Sequence, residues 1–208
     1  MKYYIINFNR KRRDCMGTYE EILETFKEKI KTVSVVEIAD IPKIDLYMDQ
    51  VTTFMDQALA PYKRSSDGKV LTKTMINNYT KAKVLPPPVK KKYGRTHIML
   101  LIMIFHLKSV LSIKDIATLF QPIFALSTKE DAEKQTERIY AGFIYLQKAT
   151  LTYMQASAEG IIDDTLFQQE IMADYDEEMK KIMLILLLAI RANAEKHLAE
   201  KVLDLYFY

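Results

Sequence analysis

Apolar positions recur at helical spacing along nearly the whole chain. Tyr19, Ile22, Leu23, Phe26 and Ile30 fall at i, i+3, i+4, i+7 and i+11 and predict one amphipathic helix. Thr18 opens it, with Glu21 three residues on to complete a capping box. Ile44, Tyr47, Met48, Val51, Phe54, Met55 and Ala58 form a second stripe opposite Asp45, Asp49, Thr52, Thr53 and Asp56, and Pro61 ends it. After a loop with a turn signal at Asp67-Gly68, Thr72 caps a short helix reaching residue 82, with Leu71 placed to staple against Ile76. Pro86-Pro87-Pro88 cannot continue that helix and hold Leu85 extended. Residues 1–16 fit either a short strand or a frayed tail.

From Thr96 the pattern loses its polar face. Ile98 through Phe105, then Leu107, predict a helix surrounded by protein on all sides. Ser112 with Asp115 caps the next, running through Ile116, Leu119 and Phe120 to Pro122. Ser127 and Glu130 begin a long helix striped by Ile139, Tyr140, Phe143, Ile144, Leu151 and Met154, expected to run to about Ala158 and to break at Gly160. Asp163-Asp164 cap the last helical stretch. Within it, Ile182–Ile190 has no polar position, so it lies inside a C-terminal bundle or against a second subunit. A lone helical hairpin covers such a helix poorly, which favours a homodimer, with Ile182, Leu186, Leu187 and Ile190 as the candidate interface. The expected fold is all-α in three regions: an extension over 1–40, a central domain over 41–124, and a C-terminal helical region over 125–208.

Charge is distributed unevenly along this framework. The whole chain is +3, but between Lys63 and Arg95 ten basic residues face one acid, Asp67. From Ala125 onward nine basic residues stand against fifteen acidic ones. A concentrated positive segment beside an acidic second half is the electrostatic outline of a polyanion binder; the plainer alternative is a solvated lysine-rich loop. Asparagines inside the run favour nucleic acid. The helix over 72–82 would present Lys73, Thr74, Asn77, Asn78 and Lys81, where Asn can bond an adenine edge and Lys a guanine edge. Asn77 and Asn78 are 100° apart on a helix, so at most one is expected to enter a groove. The alternative for each is a surface amide bonding its own backbone. Tyr79, Lys81, Lys83, Lys90, Lys91, Lys92 and Arg95 are the candidate phosphate contacts, which give affinity without sequence information.

Catalysis finds little support. His97, His106 and His197 make no metal-binding pair, and the five glycines are scattered, so no glycine-rich phosphate cradle exists. Cys15 is the only cysteine, which excludes an internal disulfide or a C-x-x-C metal site. The expectation is a non-enzyme without metal or cofactor. A reducing, cytoplasmic setting follows from the cysteine usage and from the basic cluster Arg10–Arg13 standing after the apolar stretch Tyr3–Phe8, the reverse of a secretion signal. The apolar runs Ile98–Phe105 and Ile182–Ile190 both fall short of the ~20 residues that span a bilayer, so no membrane partner is expected.

The segment I-N-N-Y-T-K-A-K-V-L-P-P-P-V-K-K-K-Y-G-R-T-H-I-M-L-L-I-M-I-F-H-L-K-S-V-L-S-I-K-D-I-A-T-L-F resembles the MerR-type winged helix-turn-helix. Tyr79, Leu85, Pro86, Tyr93, Leu101, Ile104, Leu107, Ser112, Asp115, Ile116 and Leu119 match that pattern by position. From about Ile41 to Pro122 the chain is also similar to an uncharacterised domain-of-unknown-function family of low-GC Gram-positive bacteria, MerR-like in its helices. The resemblance implies a winged DNA-binding headpiece, double-stranded DNA as partner and a role in transcription regulation. The alternative is a helical protein-interaction module that keeps the headpiece shape without binding DNA. Two departures stand out: residues 61–71 stretch the turn between the first two helices, and the wing carries lysines in place of an arginine-rich tip. The resemblance does not reach the C-terminal half, so a small-molecule or protein effector stays open.

Overall fold

The computed structural model describes residues 21, 24, 28, 33, 35–63, 68–126, 128–163 and 176–207. Side chains at 155–163 and at 178, 183, 186, 187, 189, 194, 198, 201, 205 and 206 lie outside the description. Most of the expected Thr18–Ile30 helix, with its apolar stripe, also falls outside it; Glu21, Glu24 and Glu28 are helical. Residues 1–16, with the Arg10–Arg13 cluster, and Asp164 are likewise not described.

The fold is essentially all-α. Among the described residues from 35 onward, six α-helices follow in order: α1 (Met48–Ala58), α2 (Lys73–Lys81), α3 (Arg95–Leu107), α4 (Ile113–Phe124), α5 (Lys129–Asp163) and α6 (Glu177–Phe207). Two short strands, β1 (Leu46–Tyr47) and β2 (Lys92–Tyr93), pair antiparallel with Leu46 opposite Tyr93 and Tyr47 opposite Lys92. This ladder shortens α1 relative to the apolar pattern. Ile44, 70% exposed, and Tyr47 precede the helix instead of lying on its face. The Tyr47 N–H donates to Gln50 Oε1 at 2.8 Å and so closes the first turn.

α3 is the centre of the molecule. Every residue from Ile98 to Ile104 is buried, as a helix without a polar face requires. Val51 and Met55 of α1, Ile76 and Tyr79 of α2, and Ile116, Phe120 and Ile123 of α4 join the same core. A Leu101→Ala truncation there would cost about 2–5 kcal/mol. Ser112 caps α4 by accepting from Asp115 N–H at 3.2 Å, while Asp115 accepts from Ser112 N–H at 3.1 Å. Pro122 does not end α4: it lies inside the last turn, and the helix continues to Phe124.

The core does not stop at residue 124. Tyr140 and Ile144 of α5 are buried in it, with Ile139 and Phe143 packed alongside. Tyr140 donates its hydroxyl to the Val36 carbonyl at 2.8 Å, tying α5 to the segment before α1. Lys148 reaches Glu37 at 2.6 Å on the same side. Ser127 is not described; the observed cap is Thr128, whose Oγ1 accepts from Asp131 N–H at 3.1 Å. Gly160 does not break α5, which continues through it to Asp163. One glycine in a long helix costs only about 1 kcal/mol, too little to end it. α6 packs against α4, with Leu184 and Leu203 buried.

Candidate nucleic-acid interface

α2 is built as the capping residues predict. Thr72 Oγ1 accepts from Met75 N–H at 3.2 Å, and Leu71 and Ile76 are both buried in the core. Ile76 and Tyr79 seat the helix, which leaves Lys73, Thr74, Asn77, Asn78 and Lys81 exposed along it. Tyr79 is only 6% exposed, and burial pushes its phenol above the ordinary value, so its ring serves the core and is a poor phosphate contact. The stretched connection from α1 to α2 is clamped by one carboxylate. Asp56 accepts from Val70 N–H at 2.8 Å and pairs with Lys63 at 3.3 Å. The Val70 bond, ahead of the nearby lysines, holds the Asp56 carboxyl below its usual value.

The end of α2 is a Schellman turn with a lysine in the place usually held by glycine. Val84 N–H bonds the Tyr79 carbonyl and Lys83 N–H the Thr80 carbonyl, both at 3.1 Å, while Lys83 takes φ 60°. The proline stretch then leads into a two-residue hairpin. Val89 N–H bonds the Lys92 carbonyl at 3.0 Å and Lys92 N–H the Val89 carbonyl at 2.9 Å. Its two tip residues, Lys90 and Lys91, have φ 50° and 65°, the signs a type I′ turn requires. Lys83, Lys90 and Lys91 are the non-glycine residues with positive φ among the described residues. A side chain in the left-handed region costs about 1 kcal/mol at each position.

Two contacts place the start of α2 and the hairpin stem at the same end of α1. Lys73 forms an ion pair with Asp49 in the first turn of α1. Lys92 lies over the ring of Tyr47, 5.2 Å from its centroid. Lys73 is thus already paired, although at an exposed site where such a pair contributes little. Arg95 departs further from the sequence reading. Its Nη2 donates to the Ile38 carbonyl at 2.6 Å and Nη1 lies 3.8 Å from Glu137 Oε1, so it braces the N-terminal segment and α5. Of the seven expected phosphate contacts, Lys81, Lys83, Lys90 and Lys91 are exposed, and Lys92 is half-buried.

His97 braces the proline stretch. Gly94 N–H donates to its Nδ1 at 3.1 Å, so Nε2 carries the proton and donates to the Pro87 carbonyl at 3.3 Å. Burial lowers its pKa, which keeps that tautomer neutral. Nothing in the sequence singled out this pair of contacts. The second histidine of the domain, His106, stacks edge-on against Tyr62 at 4.6 Å and meets Gln147 Nε2 at 3.2 Å; burial lowers its pKa to about 4.

On the C-terminal helices, the expected interface residues Ile182 and Ile190 are exposed, as is Ile185, whereas the side chains of Leu186 and Leu187 lie outside the description. Among the described residues no group of three or more His, Cys, Asp or Glu side chains is placed to hold a metal. Among them also, no helix is long and apolar enough to cross a membrane.

No curated protein and no solved structure matches the chain. The family model described as a domain of unknown function, DUF1836, matches residues 36–143, the stretch from the segment that Tyr140 ties down to the part of α5 that completes the core. That match covers more than half of the chain, and the protein belongs to the DUF1836 family.

Proposed function

We propose that the central domain is a sequence-specific DNA-binding module of MerR-like, winged helix-turn-helix type, acting in transcription regulation. In this reading α2 enters the major groove, where Asn77 or Asn78 reads a base, assisted by Thr74 and Lys73. The hairpin is the wing, and Lys90, Lys91 and Lys92 hold the phosphate backbone with Lys81. One observation carries the reading: the three described positions at which the backbone calls for glycine or asparagine all hold lysine, within the +9 segment. Local strain retained at charged residues is accounted for by a polyanionic partner. The exposed Ile182, Ile185 and Ile190 support pairing of two chains through α6, which would present two α2 helices to paired half-sites.

A protein-interaction module is the second reading. It is favoured by the Lys73–Asp49 pair, which occupies one base-reading candidate, and by the exposed Tyr145, Leu146 and Tyr153 on α5. Selection of bound sequences from random duplex DNA separates the two. Enrichment of a defined, twofold-related site supports the regulator; recovery of unenriched sequence, or of none, supports the interaction module.

A further inference from the structure

A cleft of about 750 Å³ opens between the hairpin and the first turns of α3 and α5, within the size range that encloses small molecules. Its apolar wall is made by Leu85, Pro86, Pro87, Val89, Met99 and Phe124. Three acids also line it, and two of them are paired. Glu133 pairs with Lys129 at 3.4 Å, and Glu137 lies 3.8 Å from Arg95. Asp45 packs on Gly94, where an added methyl would come within 3.0 Å of its Oδ1. Lys43 and Lys83 line the same space without a carboxylate partner among the described residues. Charge left over beside an apolar wall calls for an anion with an apolar body.

We propose that this cleft binds a small organic monocarboxylate with an aromatic or alkyl body, its carboxylate held by Lys43 and Lys83 and its body against Phe124, Met99 and the proline stretch. With Glu133 and Glu137 paired, the two lysine charges left over suit a single carboxylate and fall short of the charge on a nucleoside triphosphate. The α3 terminus adds to the attraction. His97 and Ile98 N–H both bond the Gly94 carbonyl, which places Arg95 and Thr96 N–H at the positive end of a 13-residue helix without an acceptor among the described residues. Asp45 already offsets part of that field, so recognition of the charge falls to the two lysines. The site does not depend on the DNA reading, and its test uses the full chain without nucleic acid.

Calorimetric titration with benzoate, hexanoate and 4-phenylbutyrate, each beside its neutral amide, measures it, with inorganic phosphate as the plain anion. At least one carboxylate binds saturably, and its amide binds about ten- to a hundredfold more weakly through loss of a charged hydrogen bond. Lys83→Asn and Lys43→Gln together lower carboxylate affinity by a similar factor. Asparagine accepts a positive φ, so the first change also leaves the helix end intact. The proposal is overturned if no carboxylate saturates, if the amides bind equally well, or if the double variant binds as the wild type does. Phosphate binding as tightly as the best carboxylate would also overturn it, by reducing the cleft to a plain anion site.

Discussion

His106 gives the sharpest test at the scale of single residues. Burial holds its folded pKa at about 4, below the ordinary 6.5, so the unfolded chain takes up a proton more readily between those values. Stability is therefore full above pH 6.5 and declines as pH falls toward 4, by up to ~3 kcal/mol and by less to the extent that solvent reaches the ring. His97, also lowered, acts in the same direction. Thermal melts between neutral and mildly acidic pH measure the decline, and His106→Phe should flatten it; an unchanged slope in that variant would contradict the assignment. Asn77→Ala and Asn78→Ala test the groove side of α2. One of the two should cost ~1–3 kcal/mol on a selected site and much less on random duplex. Equal losses on both DNAs would reduce the helix to a positioning role. The roles of single residues were only partly legible beforehand. Thr72, Ser112 and Asp115 announced their caps because capping is local chemistry. The bracing contact of Arg95 could not be read because its acceptor, the Ile38 carbonyl, is 57 residues away in sequence.

Among the elements, the hairpin carries the most. A type I′ tip favours Asn-Gly, and Lys90-Lys91 carries no such signature, so its geometry could not be read from residue types. That mismatch yields a prediction with two opposite readouts. Lys90→Asn with Lys91→Gly should leave stability unchanged or raise it by about 0.5–2 kcal/mol, since the left-handed strain is relieved. Duplex affinity should fall in the same variant. Denaturant melts and duplex titration together check it, and a stabilised variant with undiminished affinity would remove the hairpin from the interface. α3 was legible from Ile98 to Ile104, because a helix without a polar face has only one place to go, whereas Phe105 and Leu107 are half-buried. α1 was not: its stripe continued back to Ile44, but strand pairing at Leu46–Tyr47 took the first turn away. Pro122 and Gly160 were read as breaks, yet α4 carries the proline in its last turn, beside the buried Ile123, and one glycine costs α5 only about 1 kcal/mol.

For the whole molecule, sequence periodicity showed that α5 was helical but not that Tyr140 and Ile144 complete the core of the domain before it; that follows from a contact over 104 residues. The surface left over on α6 leads to the assembly prediction. Ile190, 66% exposed in the single chain, should tolerate Glu at little cost if the protein is monomeric. If two chains pair through α6, Ile190→Glu places an unpartnered charge in an apolar interface and splits the dimer, which light scattering of wild type and variant resolves. The central claim, that α2 and the lysine hairpin bind duplex DNA, is tested most directly by titrating a labelled duplex at several salt concentrations with wild type and with Lys90, Lys91 and Lys92 all changed to Ala. With about 3–5 phosphate contacts per chain in a dimer, wild-type affinity should fall by ~10³–10⁵ between 50 and 200 mM salt, and the triple variant should bind more weakly with a flatter slope. Absence of binding at low salt, or identical affinity and slope in the two proteins, would contradict the account.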